Sequence, residues 1–444
     1  MKLSLKKTLK FCFLILTIYI ITICKRDSKS FKSTSSQYQR NVYPINCDLI
    51  LNQDLNEIKK SNRILKDINP GLSGLTDKNF IFNKDQCNNY KKIRQFDRYE
   101  TLITQAELNF PIAFSILTYN NSEQFERFLR SIYRPHNVYC IHIDKSSCST
   151  FKKAIQSIVN CFDNVFLATK FENVIYAGFT RLQADLNCVK NLLNLKFLIN
   201  SNHPNLINKK FVDWKYMLNT ASTEFPLKTN YEMVEILTLL QGSNSIYIDK
   251  QIEKYTDRFK YIFKSNFHKK KLFVSKRLGN REVPHGIKLA KGSAYFIASR
   301  NFLSNIFNNS KILNFLKWLK NTYSPDETFW ATLEYNTELF NSSSFRDSQE
   351  KFLPDLARYI SWKHIKKCNG IYRHHICVFS LGDLTNLIKS KKFFVNKLML
   401  EYDPLAYQCM EQWIDTRVRH TIDKNLQHRE FYCNWLRKRS YLNC

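Results

Sequence analysis

At 444 residues, with 44% hydrophobic and 24% charged residues, the chain has the composition of an ordinary globular protein and can bury one large domain or two smaller ones. Nine Gly and ten Pro exclude collagen-like and Gly/Pro-rich low-complexity architectures, and plentiful Leu, Ile, Val and Phe exclude wholesale disorder. The 68 Lys+Arg against 38 Asp+Glu leave a formal charge of +30, which suits a polyanionic partner: nucleic acid, membrane headgroups or a phosphorylated substrate.

Residues Phe11 to Cys24 form a run of 14 residues without a charge, preceded by Lys2, Lys6, Lys7 and Lys10 and followed by Lys25 and Arg26. No small-residue cleavage site follows it, so it reads as an uncleaved signal anchor rather than a removed signal peptide. The leading lysines would hold a cytosolic tail (1–10) inside, leaving the rest lumenal. Residues 25–46 are polar and Ser-rich, as expected of a flexible stem. A mixed stretch, 47–108, is expected as an extension packed on a catalytic domain spanning 109–420, with 421–444 set off as a C-terminal tail.

Within that domain the apolar pattern alternates. Strand-like runs at 111–119, 137–144 and 164–168 are separated by helix-like segments at 122–133 and 149–160. A long amphipathic helix follows, with Phe179, Leu182, Leu186, Val189 and Leu193 on one stripe. Further strands are expected at 214–218 and 292–298 and a helix at 311–321. The order predicts an α/β fold with helices on both faces of a sheet and ligands at the carboxyl ends of its strands. The run HKKKLFVSKR (268–277) reads as a solvated basic loop, because no nucleic-acid module accompanies it.

Thirteen cysteines include no CxxC pair, so a zinc knuckle or thioredoxin-like site is a weak reading and an oxidising compartment a better one. Sequons at Asn120, Asn308 and Asn341 are compatible with a lumenal location. The chain contains no DxD, GxGxxG, GxxxxGK[ST], HExxH or GxSxG. A nucleotide bound here would therefore have its phosphates neutralised by Lys and Arg rather than by a glycine-rich cradle or a metal clamp.

The segments YCIHIDKSS (139–147), CFDNVFLATKFENVIYAGFTRLQADLNC (161–188), EFPLKTN (224–230), KGSAYF (291–296), NTYSPDETFWATL (321–333), GDL (382–384), VNK (395–397) and DPLAYQC (403–409) resemble the core 2/I-branching β-1,6-N-acetylglucosaminyltransferases, glycosyltransferase family fourteen. The resemblance implies a GT-A-like fold with a central mixed, mostly parallel sheet flanked by helices, behind a type II Golgi membrane anchor. It implies inverting, metal-independent transfer of GlcNAc from UDP-GlcNAc to a GalNAc or Gal 6-hydroxyl on a glycoprotein or glycolipid, with no cofactor and with homodimerisation as an option. It also implies disulfides Cys47–Cys409, Cys87–Cys161, Cys140–Cys188 and Cys368–Cys377, with Cys148, Cys433 and Cys444 outside the set.

By the same resemblance Glu327 is the catalytic base, and Pro325 before it suits the start of a helix. The donor residues are Leu117, Thr118, Tyr119, Asp144, Lys145, Ser146 and Tyr176, with Lys397 and Arg373 or His374 at the diphosphate. Here the chain departs from its relatives: His374 stands at the family's arginine position and Arg373 one residue earlier. On the acceptor side Arg258 and Trp362 match, while Tyr247, Tyr255 and His364 differ, so the acceptor cannot be carried over. Two other readings stay open: a peptide O-xylosyltransferase-like enzyme and a non-catalytic lumenal glycan-binding relative.

Overall fold

The computed structural model describes residues 42–68, 74–277, 281–340, 345–347, 349–365, 367–420, 426, 428–442 and 444. The anchor expected at 11–24 and the sequon Asn341 lie outside the described residues. Among those described, no helix is long and apolar enough to cross a membrane.

Four short apolar runs form parallel strands: β1 (Ile112–Thr118), β2 (Val138–Ile143), β3 (Val165–Leu167) and β4 (Tyr216–Ala221). With β5 (Ser245–Ile246) and β6 (Phe296–Ser299) they make a sheet in the order β3-β2-β1-β4-β6-β5. Strands β3, β2, β1 and β4 are parallel, and β6 runs antiparallel to both of its neighbours. These strands read as near-continuous apolar runs because both faces of the sheet are covered. Alternation along β1 sends Phe114 and Ile116 to one core and Ala113 to the other.

The first face is covered by α1 (Ser122–Ile132) and α2 (Ser149–Asn160), through Phe125, Phe128 and Leu129 and through Phe151 and Ile155. The second is covered by α3 (Phe179–Leu193) and α4 (Asp326–Tyr335), through Leu182, Val189, Phe329 and Trp330. A third core surrounds a small sheet of Arg358–Tyr359, Phe394–Asn396 and Glu224–Pro226, closed by α5 (Pro404–His420).

The expected strand at 292–298 is shorter and later, beginning at Phe296. The Gly292 N–H donates to the Glu327 carbonyl (2.5 Å), and the Asn219 carboxamide oxygen accepts the Phe296 N–H (2.8 Å), so 292–295 are committed elsewhere. The basic run at 268–277 is not a loop. Tyr261–Asn266 and Lys271–Arg277 pair as an antiparallel hairpin, because Leu272, Phe273 and Val274 are strand formers that find a matching partner strand.

Both ends of the described chain are fastened. The end of the expected stem is tied down: Tyr43 exchanges two backbone bonds with the Gln408 side chain (2.9 and 3.1 Å), next to the Cys47–Cys409 disulfide. Disulfides also join Cys87–Cys161, Cys140–Cys188 and Cys368–Cys377. A fifth, Cys433–Cys444, was not expected. It belongs to a segment that is more than a tail. The helix Arg429–Arg437 buries Tyr432 and Leu436, and Arg439 donates to the Ile246 carbonyl (2.6 Å) at the sheet edge. Its apolar residues are few and spaced at 3 or 4, a weak sequence signal that burial against the first core overrides.

Candidate active site

The carboxyl ends of β1, β2 and β4 open at one rim of the sheet. There Thr118 Oγ1 meets Ser222 Oγ (3.0 Å), and the Asp144 N–H donates to the Thr118 carbonyl (2.9 Å). Asp144 Oδ1 accepts from both the Ser146 N–H (2.7 Å) and its hydroxyl (2.8 Å), closing a tight turn. The Lys145 N–H donates to the Glu172 carbonyl (2.9 Å). The Ser147 hydroxyl donates to the Tyr119 carbonyl (2.7 Å), which joins the two strand ends. Leu117, Thr118, Tyr119, Asp144, Lys145 and Ser146 thus form one continuous rim.

His142 supports this rim from below. It is 1% exposed, and its Nε2 accepts the Glu172 N–H (2.9 Å). Burial is the chief reason its pKa falls from 6.5 to about 4. The unfolded chain takes up the proton near 6.5 and the folded chain only near 4, so stability drops as pH falls through that window, by on the order of 2 kcal/mol between pH 7 and pH 5. Urea unfolding of wild type and His142→Gln at both pH values measures this. The variant should lose that much of the pH dependence, and an unchanged dependence would discard His142 as its source.

A cationic cluster faces the rim from the short hairpin Ile371–Val378. His374 and His375 both sit at positive φ (50° and 63°) in its turn. The His374 ring stacks on Tyr176 with centroids 4.6 Å apart. Burial, then the charges of Lys397, His375 and Arg373, push its pKa below the ordinary imidazole value. Lys397 is held by its backbone, its N–H donating to the Cys377 carbonyl (3.3 Å) and its carbonyl accepting from Phe379 (2.9 Å). Burial and then Arg373 lower its pKa. Arg373 pairs with Glu401 (3.0 Å), and both charges act on the Tyr119 phenol. Lys397, His374, Arg373, Tyr119 and Tyr176 are therefore neighbours, although they come from four separate stretches of chain.

Glu327 enters from the opposite side, in the first turn of α4 after Pro325. Its Oε2 accepts from Arg258 Nη2 (2.8 Å) and lies 3.7 Å from Lys291 Nζ. Asp326 beside it is buried, which raises its pKa to about 6 against the opposing pull of Arg181, and its Oδ1 has no hydrogen-bond partner among the described residues. Lys291 Nζ stands 5.8 Å from the Tyr247 ring centroid and 5.7 Å from that of Tyr255, whose hydroxyl donates to Asp249 Oδ2 (2.7 Å). Tyr247, Tyr255, Arg258, Lys291 and Glu327 form one patch.

Tyr176 links the two ends. Its ring lies on His374 while its phenol feels the charges of Glu327 and Asp326, and the neighbouring Ala177 carbonyl accepts the Ser324 N–H (2.7 Å) just before α4. Trp362 and His364, expected at the acceptor, sit beside the cationic hairpin. Trp362 bridges Ile376, Lys363 N–H donates to the His375 carbonyl (2.9 Å), and the His364 ring is 6.4 Å from Trp362.

Lys291 lies in the KGSAYF segment, where its residue type carries no catalytic signature of its own. The signal was Gly292. A Cβ there would lie 2.6 Å from the Tyr247 carbonyl oxygen and 2.6 Å from the Ala331 Cβ, so only glycine lets Lys291 approach α4 this closely. Among the described residues, the one trio of possible metal ligands is Cys368, Cys377 and Asp383, and its two sulfurs are already joined in a disulfide. Of the two described sequons, Asn308 is exposed. Asn120 is half-buried at the rim, with its sequon residue Ser122 1% exposed.

Comparison with known proteins gives the chain's family. The family model described as "Core-2/I-Branching enzyme" matches residues 112–388. The chain is 31% identical over 431 residues to "Beta-1,3-galactosyl-O-glycosyl-glycoprotein beta-1,6-N-acetylglucosaminyltransferase 3" of Homo sapiens, covering 91% of this chain and 94% of that protein. It is 31% identical over 434 residues to the similarly named protein of Bovine herpesvirus 4 (91% and 93% covered), and 34% identical over 339 residues to number 4 of that series in Danio rerio (74% and 75% covered). The chain belongs to the core-2/I-branching enzyme family.

Proposed function

We propose that the chain is an inverting glycosyltransferase with a GT-A-like fold, which moves N-acetylglucosamine from UDP-GlcNAc to the 6-hydroxyl of a galactose or GalNAc residue on a glycoprotein or glycolipid. The observation that carries this reading is the placing of the Glu327 carboxylate across Tyr176 from a cationic cluster. Glu327 takes the acceptor hydroxyl's proton as that oxygen attacks the anomeric carbon. Arg258 and Lys291 keep its carboxylate pointed at the cleft. The rim from Leu117 to Tyr119 and from Asp144 to Ser146 holds the uridine and ribose. Lys397, with Arg373 and His374 beside it, faces the diphosphate as charge builds on the leaving UDP, without a divalent ion. Tyr247, Tyr255 and Arg258 form the acceptor side.

The proposed setting is the Golgi lumen behind a type II anchor at 11–24; the five disulfides that join described residues support its oxidising character. One observation favours a second reading, UDP-sugar binding without transfer: His374, where relatives carry arginine, is pushed toward its neutral form.

Incubation of the protein with UDP-GlcNAc and a panel of Galβ1,3GalNAc and poly-N-acetyllactosamine acceptors, with and without EDTA, tests both. Branched product formed equally in both conditions is the expected result. Binding of UDP-GlcNAc without product would favour the second reading, and loss of product on chelation would remove the metal-free mechanism.

A further inference from the structure

The basic hairpin Tyr261–Arg277 has an exposed tip, yet it touches both ends of the cleft. Near its base the Phe263 N–H donates to the Asn321 carbonyl (3.0 Å), and the Phe263 ring is 5.5 Å from that of Tyr323, on the Glu327 side. Midway, Ser265 Oγ passes over Gly178, where an added Cβ would meet it at 3.2 Å. At its tip Lys270 Nζ donates to Ser146 Oγ (3.1 Å), on the nucleotide rim. The hairpin therefore spans the opening from the carboxylate end to the donor end.

The tip is built from an unusual choice. Lys270 holds φ = 48°, the left-handed region where a hairpin turn ordinarily places glycine or asparagine. Asn266 Oδ1 accepts the Lys269 N–H (2.9 Å) and fixes the turn. A lysine kept in strained backbone, with its ammonium on the rim, is a candidate for function. Between residues 258 and 281 the sequence has nine Lys/Arg and no Asp/Glu, so nothing within the hairpin neutralises that tip. Across the cleft Arg373 is already paired with Glu401 (3.0 Å).

We propose that Lys270 is a donor-binding residue, its ammonium closing on the ribose–diphosphate portion of a uridine nucleotide seated at Asp144–Ser146. This rests on the UDP-sugar reading above and adds to it a contact from outside the sheet rim. An acidic acceptor chain is the competing occupant of the same charge.

Titration of the full chain with UDP tests it. Lys270→Gly removes the ammonium while giving the turn the residue it prefers, so the fold is kept. The expected result is about ten-fold weaker UDP binding, the scale of one charge-assisted contact, with Lys270→Arg near wild type and Lys269→Ala unchanged. Equal UDP affinity for wild type and Lys270→Gly would overturn the proposal. So would an equal loss in Lys269→Ala, which would mean diffuse attraction, or an effect confined to the KM of a sialylated acceptor. Failure of the wild type to bind UDP at all would instead bring down the donor reading on which the proposal stands.

Discussion

Glu327→Gln is expected to lower kcat by about 10²- to 10⁴-fold while leaving UDP affinity within about two-fold, the range typical of removing a general base. In barrier terms that is about 3–5 kcal/mol. The substitution is nearly isosteric. The amide oxygen can still accept from Arg258, so the first turn of α4 stays in place and the loss is confined to proton acceptance. Alanine would be less informative, because it would also leave Arg258 and Lys291 facing each other without the carboxylate between them. Steady-state kinetics on the acceptor that the panel identifies, alongside UDP titration of the same preparation, separates the two effects. A Glu327→Gln protein whose kcat stays close to that of wild type would remove Glu327 from the chemistry and move attention to Asp326.

The second large effect is on stability. Glu411→Ala should destabilise the folded chain by about 3–5 kcal/mol. Four ionisable residues of α1, Glu123, Glu126, Arg127 and Arg130, are buried, and α5 supplies one carboxylate to two of them. Glu411 pairs with both Arg127 and Arg130, and Arg94 pairs with Glu126. Arg127 also lies over the Tyr407 ring, 4.9 Å from its centroid. Removing Glu411 leaves the two guanidiniums with only their longer contacts, Arg127 to Glu123 (3.4 Å) and Arg130 to Glu126 (3.5 Å), and the buried cluster with one positive charge in excess; burial is the largest influence on Arg127. Urea unfolding measures the loss. The exposed pair Arg437–Glu430 supplies the contrast, since Glu430→Ala should move the midpoint very little. Simultaneous apolar replacement of Glu123, Arg127, Arg130 and Glu411 should recover part of the loss, because Arg94 and Glu126, the charges then left in that spot, still pair with each other. Failure of Glu411→Ala to destabilise would mean that the cluster is hydrated.

These two residues illustrate what could be read along the chain and what could not. Glu327 is singled out only through the family likeness of the contiguous run NTYSPDETFWATL; taken alone, Asp326 and Glu327 read as ordinary first-turn acids of a helix. Glu411 carries no such signal. In α5 it looks like any surface acid, and only the docking of α5 against Arg127 and Arg130 of α1 turns it inward. Lys291 is intermediate, since Gly292 hints at a close approach without naming what is approached.

By itself the sequence determined the alternation of strands and helices, the two-faced burial of β1 and β2 and the family likeness, since apolar periodicity and short motifs are properties of neighbouring residues. Tertiary structure decided which charges meet. The stacking of His374 on Tyr176, the pairing of Arg258 and Lys291 with Glu327, and the reach of Lys270 to Ser146 join segments that are from 36 to 198 residues apart. Contacts over such separations leave no periodic trace, because they depend on how whole layers pack rather than on the conformation of any one segment.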